Sequence, residues 1–200
     1  HQLHDSGAEA IFILENFATT LQAIQARGHL KHVVVASMGD LMGLVKGALT
    51  NFVVRRLRKM VPAWSLPGHH RFDQVLSGGA LQPYKPVPLA PDDVAFLQYT
   101  GGTTGVSKGA TLLQRNLLAN VLQCEAWLMN GVDRQAFAQL NVVCALPLYH
   151  IFALTVCALM GIRNGACMLL IPNPRGIPGF IKELSQFRFH LFPAVNTLYS

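Results

Sequence analysis

The chain has 200 residues, of which 51% are hydrophobic and 13% are charged. Such a composition supplies a large buried core, so it excludes an intrinsically disordered protein. The formal net charge is +6, from 16 Lys and Arg against 10 Asp and Glu, which favours an anionic partner without saying whether it is nucleic acid, lipid or nucleotide.

The first ninety residues alternate short β-branched runs with longer helical patterns, as βαβ units with mainly parallel sheets do. Strands are predicted at Ala10–Leu14 and Val33–Val35, with a helix from Asn16 to Ala26 between them. Apolar spacings of three and four predict a further, basic helix over residues 40–61. Several prolines then mark the joint between two subdomains, residues 1–90 and 91–200: Pro83, Pro86, Pro88 and Pro91.

The second subdomain shows the same alternation. Its predicted strands are Val94–Tyr99, Gly109–Leu113, Val142–Leu146 and Cys167–Ile171, and its predicted helices begin near Arg115, Ile151 and Ile177. In the first of these helices, one stripe is apolar and is expected in the core, with Trp127 at the core edge. The fold class predicted for the chain is therefore α/β, with mainly parallel sheets flanked by helices.

The cysteines and the apolar runs limit the class of protein further. The four cysteines occur singly, without a C-x-x-C pair or paired histidines, so neither a metal site nor a disulfide framework is predicted. Buried, reduced thiols in a cytoplasmic protein are expected instead. The longest apolar run, Ile151 to Ile162, is shorter than the roughly 20 residues of a spanning helix.

Most of the net charge lies in one segment, because residues 41–60 contribute +5 and the rest of the chain +1. In a regular helix the apolar and cationic residues of this segment would share one face, which argues against a simple in-plane amphipathic membrane helix. Two interpretations stay open: an apolar first half packed in the core with a solvated basic end, or contact of that end with an anionic membrane. Nucleic acid is disfavoured, because no base-stacking side chains interleave with the cations. The membrane interpretation depends on Arg55, Arg56, Arg58 and Lys59.

The segment between the strands at 94 and 109 has a composition that folding alone does not require. Its glycines allow backbone N–H groups to point inward, its hydroxyls add neutral donors, and its lysine adds a mobile positive charge. Ser107 and Gly109 stand where the nucleotide-binding P-loop motif requires Gly and Ser or Thr, so that motif is excluded. The predicted phosphate-binding residues are Tyr99, Thr100, Gly101, Gly102, Thr103, Thr104, Gly105, Val106, Ser107, Lys108 and Gly109.

The segment Thr100 to Lys108 resembles the phosphate-binding motif of the adenylate-forming superfamily, which includes acyl-CoA synthetases and luciferases. Further stretches resemble the bacterial long-chain fatty-acid–CoA ligases of that superfamily. They are Phe96–Tyr99, Pro147–Leu154, Asn196–Leu198 and the opening His1–Leu3 with Asp5–Ala8. The resemblance implies an α/β piece of a large N-terminal domain, and we expect that the first residue is a cut end.

What this resemblance implies is a two-step ligase. A fatty carboxylate attacks the α-phosphate of ATP, with Mg²⁺ present, and coenzyme A then takes the acyl group from the acyl-adenylate. Charge grows on the departing pyrophosphate, which the loop and Lys108 would stabilise. The resemblance sets His150 beside the acyl-adenylate as a second catalytic residue.

The resemblance also implies that other parts of the enzyme lie outside this chain. Motifs for adenine, magnesium and ribose, and a late catalytic lysine, are expected downstream, so we expect the 200 residues alone to make no acyl-CoA. A non-catalytic nucleotide- or lipid-binding module that reuses the loop is the alternative. The expected location is the cytoplasm or the inner face of the cytoplasmic membrane.

Overall fold

The computed structural model describes residues 1–24, 29–101, 105–133 and 138–199. The chain divides into two compact units, His1–Pro88 and Leu89–Ser200. Its mixed α/β class agrees with the sequence. Within the described residues, no helix is long and apolar enough to cross a bilayer.

A three-stranded parallel sheet, in the order β1-β2-β3, forms the centre of the first unit. The strands are β1 (Ala10–Leu14), β2 (His32–Ala36) and the short β3 (His70–Arg71). Val33 and Val35 alternate along β2 and are both buried in one apolar cluster with Ala18 and Leu21. The helices are α1 (Gln2–Asp5), α2 (Ala18–Ile24, after a 3₁₀ turn at Glu15–Phe17), α3 (Leu44–Phe52) and α4 (Phe72–Ala80).

The basic segment differs from the helix predicted over residues 40–61. α3 begins at Leu44, because Leu41 and Gly43 have φ angles of 67° and 77°, which do not fit a right-handed helix. The helix continues as a wider π-helical segment, Val53–Leu57. Of the two interpretations left open by the sequence, packing of the apolar half in the core is wrong, since Leu44 and Val45 are 94% and 83% exposed.

The second unit contains an antiparallel hairpin and a separate two-stranded parallel sheet. The hairpin pairs β4 (Val94–Thr100) with β5 (Lys108–Leu113) and is antiparallel, beside the parallel sheets that the sequence predicted as the main type. The parallel pair is β6 (Asn141–Cys144) with β7 (Cys167–Leu170). The helices of the second unit are α5 (Gln114–Leu128), α6 (Met160–Arg163, after the π-helical segment Ala153–Leu159), α7 (Ile177–Leu184) and α8 (Asn196–Tyr199).

Among the residues that the structure describes, three small apolar clusters hold the second unit together. In one of them, Val121, Cys124 and Leu128 of α5 pack with Val156 and Met160, which agrees with the predicted stripe. The other two clusters cover β6 and β7. The expectation that every thiol is buried is wrong for Cys167, which is exposed on β7.

Candidate functional site

The β4–β5 hairpin holds both ends of the glycine-rich loop. Tyr99 pairs with Gly109 and Thr100 with Lys108 in the antiparallel register, so Thr100 and Lys108 stand opposite each other at the base of the loop. Directly opposed side chains in such a pair lie on the same face of the sheet. Gly102, Thr103 and Thr104, three of the predicted phosphate-binding residues, lie outside the described residues.

Ser107 and Gly105 shape the described part of the loop. The Ser107 hydroxyl donates a hydrogen bond to the carbonyl oxygen of Thr100 over 2.8 Å, which closes the loop at its base. Gly105 has a φ of 110°, a conformation that side chains disfavour. Between them Val106 is 64% exposed. Ser107 thus uses its hydroxyl proton to hold the loop, whereas Gly101 and Val106 leave the loop open to solvent.

Tyr99 and Gly109 have a packing role. A Cβ atom at residue 109 would lie 3.0 Å from Cζ of the Tyr99 ring, so the ring lies directly over the glycine. This pair occupies the hairpin face opposite to the one that carries Thr100 and Lys108, because successive residues of a strand alternate between faces. The predicted phosphate-binding residues therefore fall into two groups, one that supports the hairpin and one that stands at the open loop.

Lys108 is exposed at the first position of β5. It forms no ion pair with any residue in the described part of the chain, so its ammonium group is available to an anion. Thr100, its partner in the register, is exposed as well. A hydroxyl and an ammonium group opposite each other suit the oxygens of a phosphate chain.

The Gln98 side chain joins the hairpin to the turn that carries His150. Its amide donates to the carbonyl oxygen of Tyr149 over 2.9 Å. Gln98 lies two residues before Thr100, so both side chains belong to the same face of β4. The hairpin face with Thr100 and Lys108 is therefore the one that adjoins the turn of residues 147–150.

His150 caps the helical segment that follows this turn. Its backbone N–H donates to the Pro147 carbonyl oxygen over 2.9 Å, and its Nδ1 accepts the backbone N–H of Phe152 over 3.3 Å. When the ring is neutral, Nε2 then carries the proton and is a donor. The ring is exposed, so this donor is accessible to a ligand.

A cleft of about 960 Å³ opens at the carboxyl ends of β6 and β7. In open parallel sheets, ligands bind at this edge. Tyr149 contributes to the cleft wall, which connects the cleft to the turn that holds His150. Its remaining walls come from residues 144–148, 170–175, 177, 195, 197 and 198, so the Asn196–Leu198 stretch noted in the sequence lies at this edge.

A second cavity, of about 650 Å³, lies beside α5. Its walls are mostly apolar, and Gln123 and the hydroxyl of Tyr199 are polar groups among the lining residues. Trp127 is 79% exposed and forms part of the wall, so the prediction that it lies at the edge of the core is wrong. Two of its lining residues, Phe152 and Val156, follow His150 by two and six positions in the sequence.

Two buried thiols lie next to the first cleft. Cys144 and Cys157 belong to one apolar cluster, and Cys144 also lines the cleft. The Cys157 thiol donates a hydrogen bond to the Val143 carbonyl oxygen over 3.9 Å. Interaction with the Cys157 side chain lowers the pKa of Cys144, whereas interaction with Cys144 and burial raise the pKa of Cys157. Cys157 is therefore a protonated, structural thiol.

The sequence did not predict the hydrogen bond of Gln98 to the Tyr149 carbonyl oxygen. It also did not predict that Trp127 and residues 191–194 line the apolar cavity. Gln98 carried a signal, because it is the polar residue in the otherwise apolar run Val94–Tyr99. A half-buried side-chain amide such as that of Gln98 is stabilised by a hydrogen-bond partner. Trp127 and residues 191–194 had no local signal, since their role depends on long-range packing.

A family match and similar solved structures show the class of protein to which this fold belongs. The AMP-binding enzyme family matches residues 1–200, so the chain belongs to that family. Among solved structures, an anthranilate CoA ligase bound to anthranoyl-AMP matches with a TM-score of 0.70 and 19% identity over 99% of this chain and 33% of its own. Apo MatB from Rhodopseudomonas palustris matches with a TM-score of 0.62 and 20% identity, over 99% of this chain and 32% of its own. These likenesses support the fold.

Closer relatives narrow the comparison within the family. The chain is 48% identical over 200 residues to a long-chain-fatty-acid–CoA ligase of Escherichia coli O157:H7. It is 44% identical over 199 residues to the enzyme of that name from Haemophilus influenzae. In each case the whole chain is matched but only 35% of the relative, so the chain spans about a third of these relatives' length.

Proposed function

We propose that the complete protein containing this chain is a long-chain fatty-acid–CoA ligase. A carboxylate oxygen of the fatty acid attacks the α-phosphorus of ATP, the bond to the bridging oxygen breaks, and pyrophosphate leaves. The sulfur of coenzyme A then attacks the acyl carbon and AMP leaves. The similarity of the whole chain to ligases of that name supports this proposal.

The observation that carries the proposal is the hairpin face shared by Thr100, Lys108 and Gln98. This face adjoins the His150 turn, so donors for phosphate and a donor for a carboxylate belong to one region. Negative charge grows on pyrophosphate as it leaves, so a hydroxyl and an ammonium fixed at the loop base stabilise the transition state more than the ground state. We assign that role to Thr100 and Lys108, and substrate orientation to Nε2 of His150.

Magnesium is proposed to arrive with ATP, where it neutralises phosphate charge. The described residues contain no group of three His, Cys, Asp or Glu side chains that could hold a metal ion. The hydroxyls and the lysine at the loop fit phosphate oxygens better than a cation. Metal and coenzyme A contacts are therefore expected chiefly from the remainder of the complete protein.

We assign the acyl chain to the apolar cavity beside α5. Its volume of about 650 Å³ and its apolar walls suit a hydrocarbon tail. Phe152 and Val156, two of its lining residues, follow His150 within one helical segment. A fatty acid whose carboxylate lies near His150 can therefore place its hydrocarbon tail in this cavity.

The proposed location is the cytoplasm, where ATP and coenzyme A are available. The four cysteines are free thiols, which suits a reducing compartment. The alternative of a non-catalytic binding module is not favoured, because the relatives that match the whole chain carry ligase names.

The direct test is ATP–pyrophosphate exchange by the complete protein with carboxylates of increasing chain length. Lys108→Met should lower the maximal exchange rate by roughly 100-fold, by analogy with the loss of one transition-state donor. Lys182→Met is the matched control, because Lys182 is an exposed lysine on α7 and should leave the rate unchanged. An equal rate for Lys108→Met and the unsubstituted protein would refute the assigned role, and no exchange with any fatty acid would refute the ligase.

A further inference from the structure

Two cysteines on either side of the His150 turn meet at the end of β6. Cys144 is the last residue of β6, where it shares one face of the strand with Val142. Cys157 belongs to the π-helical segment that packs on this face. Its Sγ lies 3.9 Å from the carbonyl oxygen of Val143, in the peptide group that leads into Cys144. The two thiols are therefore neighbours in one buried cluster.

The two thiols differ in their access from outside. Cys144 is 3% exposed and forms part of the wall of the 960 Å³ cleft, whereas Cys157 is fully buried behind it. A small reagent that enters the cleft therefore reaches Cys144 first. Interaction with the Cys157 side chain also lowers the pKa of Cys144, and a lower pKa favours the thiolate, which is the reactive form of cysteine.

The segment between these two cysteines, residues 145–156, contributes to both cavities of the second unit. It contains His150, and Tyr149 forms part of the wall of the 960 Å³ cleft. Phe152 and Val156 belong to the wall of the apolar cavity. A covalent bond between the two sulfur atoms would close this segment into a loop, so it would act on both cavities.

The backbone contacts indicate which part would move. The Cys144 carbonyl oxygen accepts the N–H of Ile171 over 3.0 Å, which fixes the end of β6 to the chain after β7. The His150 carbonyl oxygen accepts the N–H of Leu154 over 2.9 Å, so the turn is tied to the π-helical segment. A disulfide holds its sulfur atoms about 2 Å apart, much closer than two thiols in contact. The π-helical segment would therefore approach β6 and take the His150 turn with it.

We propose that Cys144 and Cys157 are an oxidation site, which a small peroxide converts into a reversible disulfide that slows the enzyme. The Cys144 sulfur attacks one oxygen of hydrogen peroxide, the O–O bond breaks, and a sulfenic acid and one water are formed. The Cys157 sulfur then attacks the sulfenic sulfur. The S–S bond forms, the S–O bond breaks, and the hydroxyl leaves with the Cys157 proton as a second water.

Such a bond suits the proposed reducing compartment, where disulfides are mostly transient and sense oxidants. A dithiol reductant reverses it by thiol–disulfide exchange. The π-helical geometry around Cys157 is consistent with this role, because π-helical turns are rare and are found mostly at functional sites. Formation of the disulfide does not depend on ligase activity, whereas its effect on the rate rests on the proposed function.

The test is peptide mapping of the complete, folded protein after treatment with hydrogen peroxide and alkylation of the remaining thiols. Trypsin leaves both cysteines in one peptide, residues 135–163, because no Lys or Arg lies between Arg134 and Arg163. This peptide should be lighter by two hydrogen atoms and resist alkylation. Further cleavage after Tyr149 should leave its two parts joined until a dithiol is added.

The same samples provide the functional measurement. Complete formation of the disulfide should lower the rate of ATP–pyrophosphate exchange by about fivefold or more, because the His150 turn is displaced. Dithiothreitol should restore the rate. An unchanged rate in the fully linked protein would overturn the effect on activity. A disulfide that forms in a protein without any exchange activity would support the oxidation site and count against the ligase proposal.

Three alanine variants test the order of the two steps, since a buried cysteine packs as a small apolar residue. Cys157→Ala should stop at the sulfenic acid, which dimedone labels at Cys144. Cys144→Ala should show neither a label at Cys157 nor loss of activity with peroxide. Cys167→Ala is the matched control, because Cys167 is exposed on β7, and this variant should form the disulfide as the unsubstituted protein does.

The mapping of the unsubstituted protein decides the proposal even if the variants with a buried substitution do not fold. Oxidation of Cys167 without any bond between Cys144 and Cys157 would overturn it. A bond that forms only after unfolding in urea would overturn it as well, because the pair would then not be an oxidation site of the folded protein.

Discussion

The side-chain amide of Gln98 donates a hydrogen bond to the main-chain carbonyl oxygen of Tyr149 over 2.9 Å, across 51 positions of sequence. It joins the strand that leads into the glycine-rich loop to the turn that carries His150. Gln98 and Thr100 share one face of β4, so this single bond orients the phosphate side of the hairpin toward that turn.

Replacement of Gln98 by Leu should therefore impair adenylate formation more than stability. Loss of one such hydrogen bond costs about 1 kcal/mol of folding free energy. Misalignment of the two segments should lower the maximal rate of ATP–pyrophosphate exchange by roughly 10- to 100-fold, because small displacements of reacting groups have large kinetic effects. The measurement is exchange kinetics together with urea unfolding of the complete protein.

The control for this variant is Gln139→Leu. The Gln139 amide also donates to a main-chain carbonyl oxygen, that of Gly165, over 3.2 Å. It lies in the same unit but outside the hairpin, so its loss should affect stability alone. A similar loss of exchange in both variants would mean that Gln98 acts only through general stability.

Tyr99 and Gly109 provide a second prediction, on the packing that supports the loop. Gly109→Ala sets a methyl group about 3.0 Å from the Tyr99 ring, and we expect a destabilisation of roughly 1–3 kcal/mol from overpacking. In a Tyr99→Leu background the same substitution should cost much less, since the ring is gone. Urea unfolding of the unsubstituted protein, the two single variants and the double variant measures this coupling.

Gly101→Ala is the matched substitution, because nothing lies within 4 Å of a Cβ atom at residue 101. It should change the free energy of unfolding little. Equal costs for Gly109→Ala with and without the Tyr99 ring would contradict the packing role.

The sequence predicted local structure well where one periodic pattern determined it. β1 was predicted over its full length, and the α5 stripe with Val121, Cys124 and Leu128 is confirmed. The sidedness of α3 could not be predicted, because it depends on two contacts with residues outside the helix: the Gly39–Gly47 approach and the Arg55–Glu15 ion pair. Hydrophobicity alone favours the apolar side of a helix for the core, which is the wrong side here.

The Arg55–Glu15 pair provides a third prediction. The Glu15 side chain is only 5% exposed, and Arg55 Nε and Nη2 both contact its carboxylate. Arg55→Met leaves that carboxylate buried without its partner and should cost roughly 2 kcal/mol, below the range for fully buried pairs because Arg55 is half-exposed. Thermal or urea unfolding of the complete protein measures the loss.

Two further variants test this explanation. Glu15→Met/Arg55→Met should recover much of the lost stability, since no unpaired charge remains. Arg56→Met removes the neighbouring arginine, which is exposed, and should have little effect on unfolding. If Arg56→Met destabilises as much as Arg55→Met, the ion pair is not what anchors α3.

Trp127 provides the last prediction, on the apolar cavity. Its side chain is 79% exposed, yet it forms a wall of the cavity together with Phe152 and Val156. Trp127→Ala should raise the KM for long-chain acids by about tenfold, because an aromatic side chain supplies a large apolar contact area. The KM for short-chain acids, whose tails do not reach this wall, should stay the same.

Leu118→Ala truncates an exposed apolar residue of the same helix outside the cavity and is the control. Equal increases of KM for short and long acids would show that Trp127 does not contact the acyl chain, because chain length is the variable that its wall can sense.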